Sequence, residues 1–337
     1  MYYPKREIGK GMLVIVPFTV LLFIFVYGFI LWSFRVSLSS WDGIIPNIKS
    51  VGFSNYIELF RNRRFTADLW NTLFFTVLFM SVCIVGGFVL AYLIYRGLKG
   101  EGVFRTVFMY PLSISFIVSG VVWKWQLTPS TGVNQLFRMM GIPLDFGWYT
   151  STGHIGPYNV ALISLVLAAS WQYLGYTMAM FLAGLRTVPR QIVESGMIDG
   201  ASELRIIFSI LLPHLRPIVF SALIVLGHIS LKIFDLVYAM TGSGPKFVTD
   251  FPGLYMFETT FRGNHYAEGA AISIIMLFCV AVIIVPFMLF YLLRDGKGLR
   301  DYLTKFIPNK LKEPVGEVLS DVNKQLSNYV RGQVTVA

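Results

Sequence analysis

Charge is scarce in this sequence. Asp, Glu, Lys and Arg make up 14% of its 337 residues, against 55% hydrophobic, too little to cover a water-soluble domain of this size. Cysteine is nearly absent. Cys83 and Cys279 each lie within an apolar run, without the spacing of a disulfide framework or a C-x-x-C motif, and read as packing residues. The four histidines, His154, His214, His228 and His265, show no ligand spacing such as H-E-x-x-H. No metal site is expected, and no convergent acid, base or metal set argues for a membrane enzyme. A phosphate loop is missing too. Gly9-Lys10 and Gly296-Lys297 lack the earlier glycine and the hydroxyl of G-x-x-x-x-G-K-[ST], so the chain is expected to bind no cofactor and to hydrolyse no nucleotide by itself.

What the sequence has is apolar length. Mean hydropathy is +0.65, and six runs at about 12–34, 69–95, 104–127, 159–185, 218–240 and 269–293 are each long enough for a helix to cross a hydrocarbon core of roughly 30 Å. The prediction is an all-α polytopic protein whose six-span domain covers 12–294, after a short N-terminus (1–11) and before a polar tail (295–337). The first run ends in Trp32-Ser33-Phe34-Arg35 without a small-residue cleavage site, which reads as a retained span. The net charge of +10 does not point to nucleic acid, because the basic residues sit in short pieces between apolar runs. With both termini inside, inner segments hold 18 Lys and Arg and outer ones 8, as the positive-inside rule requires. That places both termini and residues 186–217 in the cytoplasm. The stretch 35–68 falls outside, with a short interfacial helix, and Lys124 can snorkel beside Trp123 and Trp125.

Residues 186–217 lie between apolar runs yet carry Arg186, Arg190, Glu194, Asp199, Glu203, Arg205 and Arg216, so water must reach them. Asp199-Gly200 interrupts a helix-compatible stretch, because glycine costs roughly 1 kcal/mol in a helix interior and readily takes φ > 0. Helix, sharp turn, helix is the predicted form. Pro213 and Pro217 can then redirect the chain into the fifth span.

In this stretch Glu194, Ser195, Gly196, Asp199, Gly200 and Ala201 are followed by Ile210, Leu212 and Pro213. The pattern resembles the E-A-A-x-x-D-G-A…I-x-L-P loop of permease subunits of binding-protein-dependent ABC importers, with Ser195 and Gly196 in place of two alanines. The lead-in LAGLRTVPRQIVE, the segment VGFSNYIELF and the segment TGSGPKFVTD, with Ser243 replacing a glycine, resemble the carbohydrate branch of the same family, in its maltose and glycerol-phosphate type. That resemblance implies the type I permease fold in a bacterial or archaeal cytoplasmic membrane. It implies a second permease subunit, two ATPase subunits that bind ATP and Mg, and an extracytoplasmic solute-binding protein. Glu194, Ser195, Gly196, Asp199, Gly200, Ala201 and Pro213 would form the coupling loop seated on an ATPase. Taken alone, Glu194 and Asp199 would equally suit helix caps.

Candidates for the solute pathway are fewer. Ionisable groups in spans are costly and face a cavity or a partner, which singles out His228, Lys232 and Asp235. Lys232 and Asp235, three apart, could instead neutralise each other on one helical face. Ser230 occupies a stretch that lines the pathway in the family the chain resembles. Trp171, Gln172, Tyr173 and Tyr176 offer aromatic faces and polar tips suited to a sugar ring, although aromatic residues in spans also serve packing. The asparagine-rich lining of maltose-type permeases is absent. An ion-coupled secondary transporter is the competing class, but it leaves the charged loop unexplained and no inverted repeat is evident. In the tail, Val315, Val318, Leu319, Val322, Leu326, Tyr329 and Val330 recur at helical spacing, which suits an accessory helix of no specific function or plain disorder, with an amphipathic helix on the membrane surface or on a partner as the alternative.

Overall fold

The computed structural model describes residues 16–97, 99–143, 146–155 and 158–294. The N-terminal segment and the tail with its helical pattern lie outside the described residues. Helix α1, Val16–Ser37, contains one π-turn at Phe23–Tyr27, and none of residues 16–34 is buried. A short helix α2, Ser54–Arg61, follows. It carries an outward apolar stripe of Phe53, Ile57 and Phe60, the form expected of an interfacial helix.

Helix α3 runs Arg63–Tyr95, capped by Asn62, whose side chain accepts from the Arg64 N–H. It begins six residues before the apolar run, because Arg64 and Asp68 are held inside the protein. It packs most extensively on α7, Ala161–Leu185, with Thr177 Oγ1 donating to the Cys83 carbonyl at 2.8 Å.

The third apolar run, expected as one helix, is broken. Helix α4, Glu101–Met109, passes into a 3₁₀ turn at Tyr110–Ser113. Helix α5, Phe116–Gln126, then leaves at 104°. Pro111 in the turn has no N–H to continue an α-ladder. Ile114 is extended (φ −88°, ψ 139°), and Ser115 restarts the helix by accepting from the Val118 N–H. Glu101 pairs with Arg186 at the charged-loop end, while α5 packs along the helix Asp235–Met240 near the other end. The bent pair therefore runs between the two ends of the molecule.

Residues 132–139 form α6 (Gly132–Met139), followed by the antiparallel pair β1 (His154–Ile155) and β2 (Tyr158–Asn159). The charged loop contributes α8, Arg190–Ile198. Helix α9 spans Glu203–Leu231, with a π-turn at Ile207–Leu211. Pro213 follows that turn directly and Pro217 lies within the helix, so neither proline ends it. The π-turn pairs the Leu212 N–H with the Ile207 carbonyl.

The fifth run breaks as well. Residues 232–234 leave the helix, and α10, Asp235–Met240, follows. No proline or glycine stands at this break. Ile233, Leu236, Val237 and Met240 instead enter a core with Phe75, Phe79, Leu226 and Phe251, and burial of that face outweighs helix continuity. Helix α11, Pro252–Phe257, and a π-turn, Glu258–Arg262, lead to α12, Tyr266–Arg294.

Among the described residues four helices are long and apolar enough to cross a membrane, or five with the bent pair as one span. Residues to Phe278 form one compact unit. The second begins at Cys279, and its described part is the end of α12.

Candidate functional site: an exposed helix-turn-helix loop and two interrupted spans

The charged loop folds as its residues dictate. Asp199 closes α8, and Gly200 takes φ +76°, a region that costs other L-residues roughly 1–2 kcal/mol. The Gly200 N–H donates to the Met197 carbonyl and the Ala201 N–H to the Gly196 carbonyl, at 3.1 and 3.0 Å, the paired bonds of a Schellman C-cap. Ser202 then caps α9 by accepting from the Arg205 N–H.

Glu194, Ser195, Asp199 and Gly200 are exposed. Gly196 faces Ile206 and Ile210, Ala201 packs against the inner core of Phe181, Leu185 and Leu211, and Pro213 is half-buried. Around the turn, Ile192, Met197, Ile198, Leu204 and Phe208 lie open, Ile198 at 86%. Apolar and charged side chains thus stand exposed side by side on this loop.

Ion pairs brace the loop from its flanks. Glu203 accepts from Arg96 at 2.5 Å and from the Tyr92 hydroxyl at 2.8 Å, and Arg186 pairs with Glu101. All are largely exposed, so each contributes about 0–1 kcal/mol. Their effect is to fix the angle of the loop against α3 and α4.

The span candidates separate into two groups. Trp171, Gln172 and Tyr173 all hold the broken third span. The Trp171 ring meets Trp123 edge-on at 5.9 Å, Tyr173 stacks on Phe116 at 5.6 Å, and Gln172 Nε2 donates to the Ile114 carbonyl at 2.5 Å. The break leaves that carbonyl without a helical partner, and Gln172 supplies one. Gln172 Oε1 is buried with no partner among the described residues. Tyr176 is half-buried, edge-on to Tyr173.

In the fifth run, Ser230 is fully buried and joins α9 to α3 by accepting from Thr76 Oγ1 at 3.0 Å. Its own hydroxyl donates to the Gly227 carbonyl. His228 is half-buried, with Nδ1 unpaired among the described residues. Lys232 and Asp235 are both exposed and stand on either side of the break, so one continuous helical face does not carry them. No ion pair joins them among the described residues. Ser230→Ala is expected to lower stability by only about 0.6 kcal/mol, the mean for an interhelical bond in a membrane. Uptake kinetics check this, since loss of a solute contact would raise KM while loss of packing would not.

A network at the end opposite the charged loop escaped sequence reading. Arg64 Nε donates to Asp250 Oδ2 and Nη2 to Glu258 Oε2, both at 2.5 Å. Its guanidinium lies over the rings of Phe247 and Tyr255, 4.8 and 4.4 Å from their centres. Asn71 Nδ2 donates to the carbonyls of Phe247 and Asp250 at 3.0 Å, and the Tyr255 hydroxyl donates to Glu268 Oε1 at 2.5 Å. Lys246 and Phe247 have positive φ, 55° and 62°, a strained pair that these contacts hold in place. Burial pushes the Asp250 carboxyl above the ordinary carboxylate range, against the pull of Arg64. The one sequence signal was Arg64 and Asp68 four apart beside an apolar run.

The chain is 34% identical, over 82% of its length and 93% of the relative's, to a probable ABC transporter permease protein of Pyrococcus horikoshii. It is 32% identical to the xylose/arabinose import permease of Haloferax volcanii, over 83% and 87%. To the trehalose/maltose transport system permease of Thermococcus litoralis it is 30% identical, over 88% and 96%. Among solved structures, a chain of a bacterial ABC transporter that imports the acidic polysaccharide alginate matches with a TM-score of 0.65 and 21% identity, over 83% of this chain and 94% of that one. A family model described as AI-2E family transporter matches residues 254–337 only, about a quarter of the chain and partly outside the described residues.

The relatives are transporter permease subunits, which are not themselves enzymes. The chain belongs to the permease subunits of ABC transporters.

Proposed function

We propose that this chain is one half of the translocation pathway of an ATP-driven importer and moves a sugar or sugar-like solute inward by alternating access. Its location is a bacterial or archaeal cytoplasmic membrane, with six spans and both termini cytoplasmic. The observation that carries the reading is the exposed loop, whose Ile192, Met197, Ile198, Leu204 and Phe208 surround the Gly200 turn. One of two ATPase subunits takes this apolar surface into a groove, and Glu194 and Asp199 lie at its edge. ATP and Mg sit on those partners.

Closure of the ATPase pair displaces the loop as a rigid body, and the bracing pairs Arg96–Glu203 and Arg186–Glu101 pass the displacement to α3 and α4. A second permease subunit completes the pathway, and an extracytoplasmic binding protein delivers the solute. The solute class rests on the relatives, permeases for xylose/arabinose and trehalose/maltose. His228, Lys232 and Asp235, with Trp171, Gln172, Tyr176 and Ser230, line or support the path. An anionic solute would suit Lys232.

ATP-dependent uptake by the purified complex in liposomes tests this. In Gly200→Pro the ring cannot adopt φ +76° and the N–H to Met197 is lost. Solute-stimulated ATPase and uptake are expected to fall about tenfold or more, while basal ATPase persists. Glu194→Ala should show a smaller loss. Uptake driven by an ion gradient without ATPase subunits, unaffected by either change, would assign the chain to secondary transport instead.

A further inference from the structure

Ahead of Leu69, where the apolar run of α3 begins, the Arg64 network gathers three acids around one base. Asp68 and Asp250 are both 0% exposed. Arg64 spends its two contacts on Asp250 and Glu258, and neither carboxyl oxygen of Asp68 has a donor among the described residues. On α3, Asp68 stands one turn after Arg64 and three residues before Asn71, both of which bond Asp250, and its carboxyl therefore faces that of Asp250. Two buried carboxyl groups that face each other have nothing to bond with unless a proton lies between them, since like charges at that distance do not both ionise.

Other charged groups stand around the pair. From α3 comes Arg64, and from the π-turn after α11 comes Glu258, which also pairs with the largely exposed Arg262 at 3.7 Å. The Tyr255 hydroxyl of α11 is turned to Glu268 of α12 and receives Asn62 Nδ2 at 2.8 Å. Asn71 bonds the carbonyl of Phe247, in the strained turn, and that of Asp250 after it.

We propose that Asp68 and Asp250 share one proton, and that this pair is a pH-sensitive staple fastening the segment 241–262 to the start of α3. With the proton in place the four groups Arg64, Asp68, Asp250 and Glu258 sum to one negative charge. When it leaves to solvent they sum to two, and Asp68 repels the carboxylate that Arg64 holds. The fastening of the strained Lys246–Phe247 turn is then lost.

The sign follows from where the proton is bound. The folded chain keeps a proton that an unfolded aspartate releases near pH 4, so the folded state binds more protons and its stability declines as pH rises above that range. The decline ends at the pair's own titration point. In Asp68→Asn the amide supplies the donor permanently and removes this part of the slope.

Thermal unfolding of the full-length chain from mildly acidic to alkaline pH tests the proposal without reference to transport. Asp68→Asn is expected to melt no lower than native at neutral pH and to lose a few degrees less on alkalinisation. A native-like slope in Asp68→Asn, or a lower melting point at every pH, overturns the proposal. An infrared spectrum of native protein labelled with ¹³C-aspartate needs no variant. It should show a protonated carboxyl band at neutral pH that vanishes on alkalinisation, and absence of the band overturns the proposal as well.

Discussion

Gly175→Ala is expected to prevent assembly of the folded chain. A Cβ at this position would overlap the carbonyl of Phe108 and stand 2.9 Å from the Met109 amide nitrogen. Both obstacles are backbone. A flexible side chain could turn aside, but here α4 must move bodily away from α7. That motion would also pull Ile114 from Gln172 and Phe116 from Tyr173, since all three contacts lie on one stretch of α7. Overpacking commonly costs about 1–3 kcal/mol, and the added loss of these contacts takes the effect beyond that range. The yield of monodisperse protein after detergent extraction measures it. A yield near native would mean that α4 shifts freely, and that the bend does not depend on the fit between α4 and α7.

Arg64→Met should have the second largest effect. The substitution keeps an apolar stem under Phe247 and Tyr255 but removes the base that bonds both Asp250 and Glu258, leaving Glu258 its longer pair with Arg262 at 3.7 Å. Breaking a buried pair by deleting one partner costs about 3–5 kcal/mol, because the remaining charge is buried without compensation. Asp250 is fully buried and Glu258 is not, so Asp250 carries most of the penalty and takes up a proton. The destabilisation is therefore expected to be greatest at alkaline pH and to lessen on acidification. Melting temperature across pH measures this, and a pH-independent loss would show that the ring contacts, and not the ion pairs, hold the node.

Both variants probe contacts that span long sequence distances, whereas Gly200→Pro probes a local one. The separation explains what could be read in advance. The charged loop was legible because its form is written within about a dozen residues. Asp199-Gly200 supplies the turn, and the scarcity of charge elsewhere makes seven charges in one place conspicuous. The apolar runs were legible for the same reason, since helix length and hydropathy are properties of a single window.

The breaks were not legible in that way. Pro111 hinted at the first, but a proline early in a span is also compatible with a kink, and the 104° turn requires Gln172, 58 residues away, to receive the freed carbonyl. The second has no local cause at all. Residues 232–234 depart from the helix because their neighbours bury Ile233 and Leu236 among side chains of α3 and α7. For the same reason Lys232 and Asp235 do not share the helical face that their spacing suggested.

By itself, then, the sequence determined a membrane-spanning all-α chain with one water-facing loop, its turn and the family to which it belongs. The spans and the turn arise from composition and short-range backbone preference, and the family from the resemblance carried by residues 194–213. Tertiary structure alone decided where the third and fifth runs break, that Trp171 and Gln172 support a bend, and that Arg64 meets acids 186 and 194 residues away. The physical reason is burial. A freed carbonyl or a charged group inside the protein must find a partner wherever the fold brings one, and no local pattern records which residue that will be.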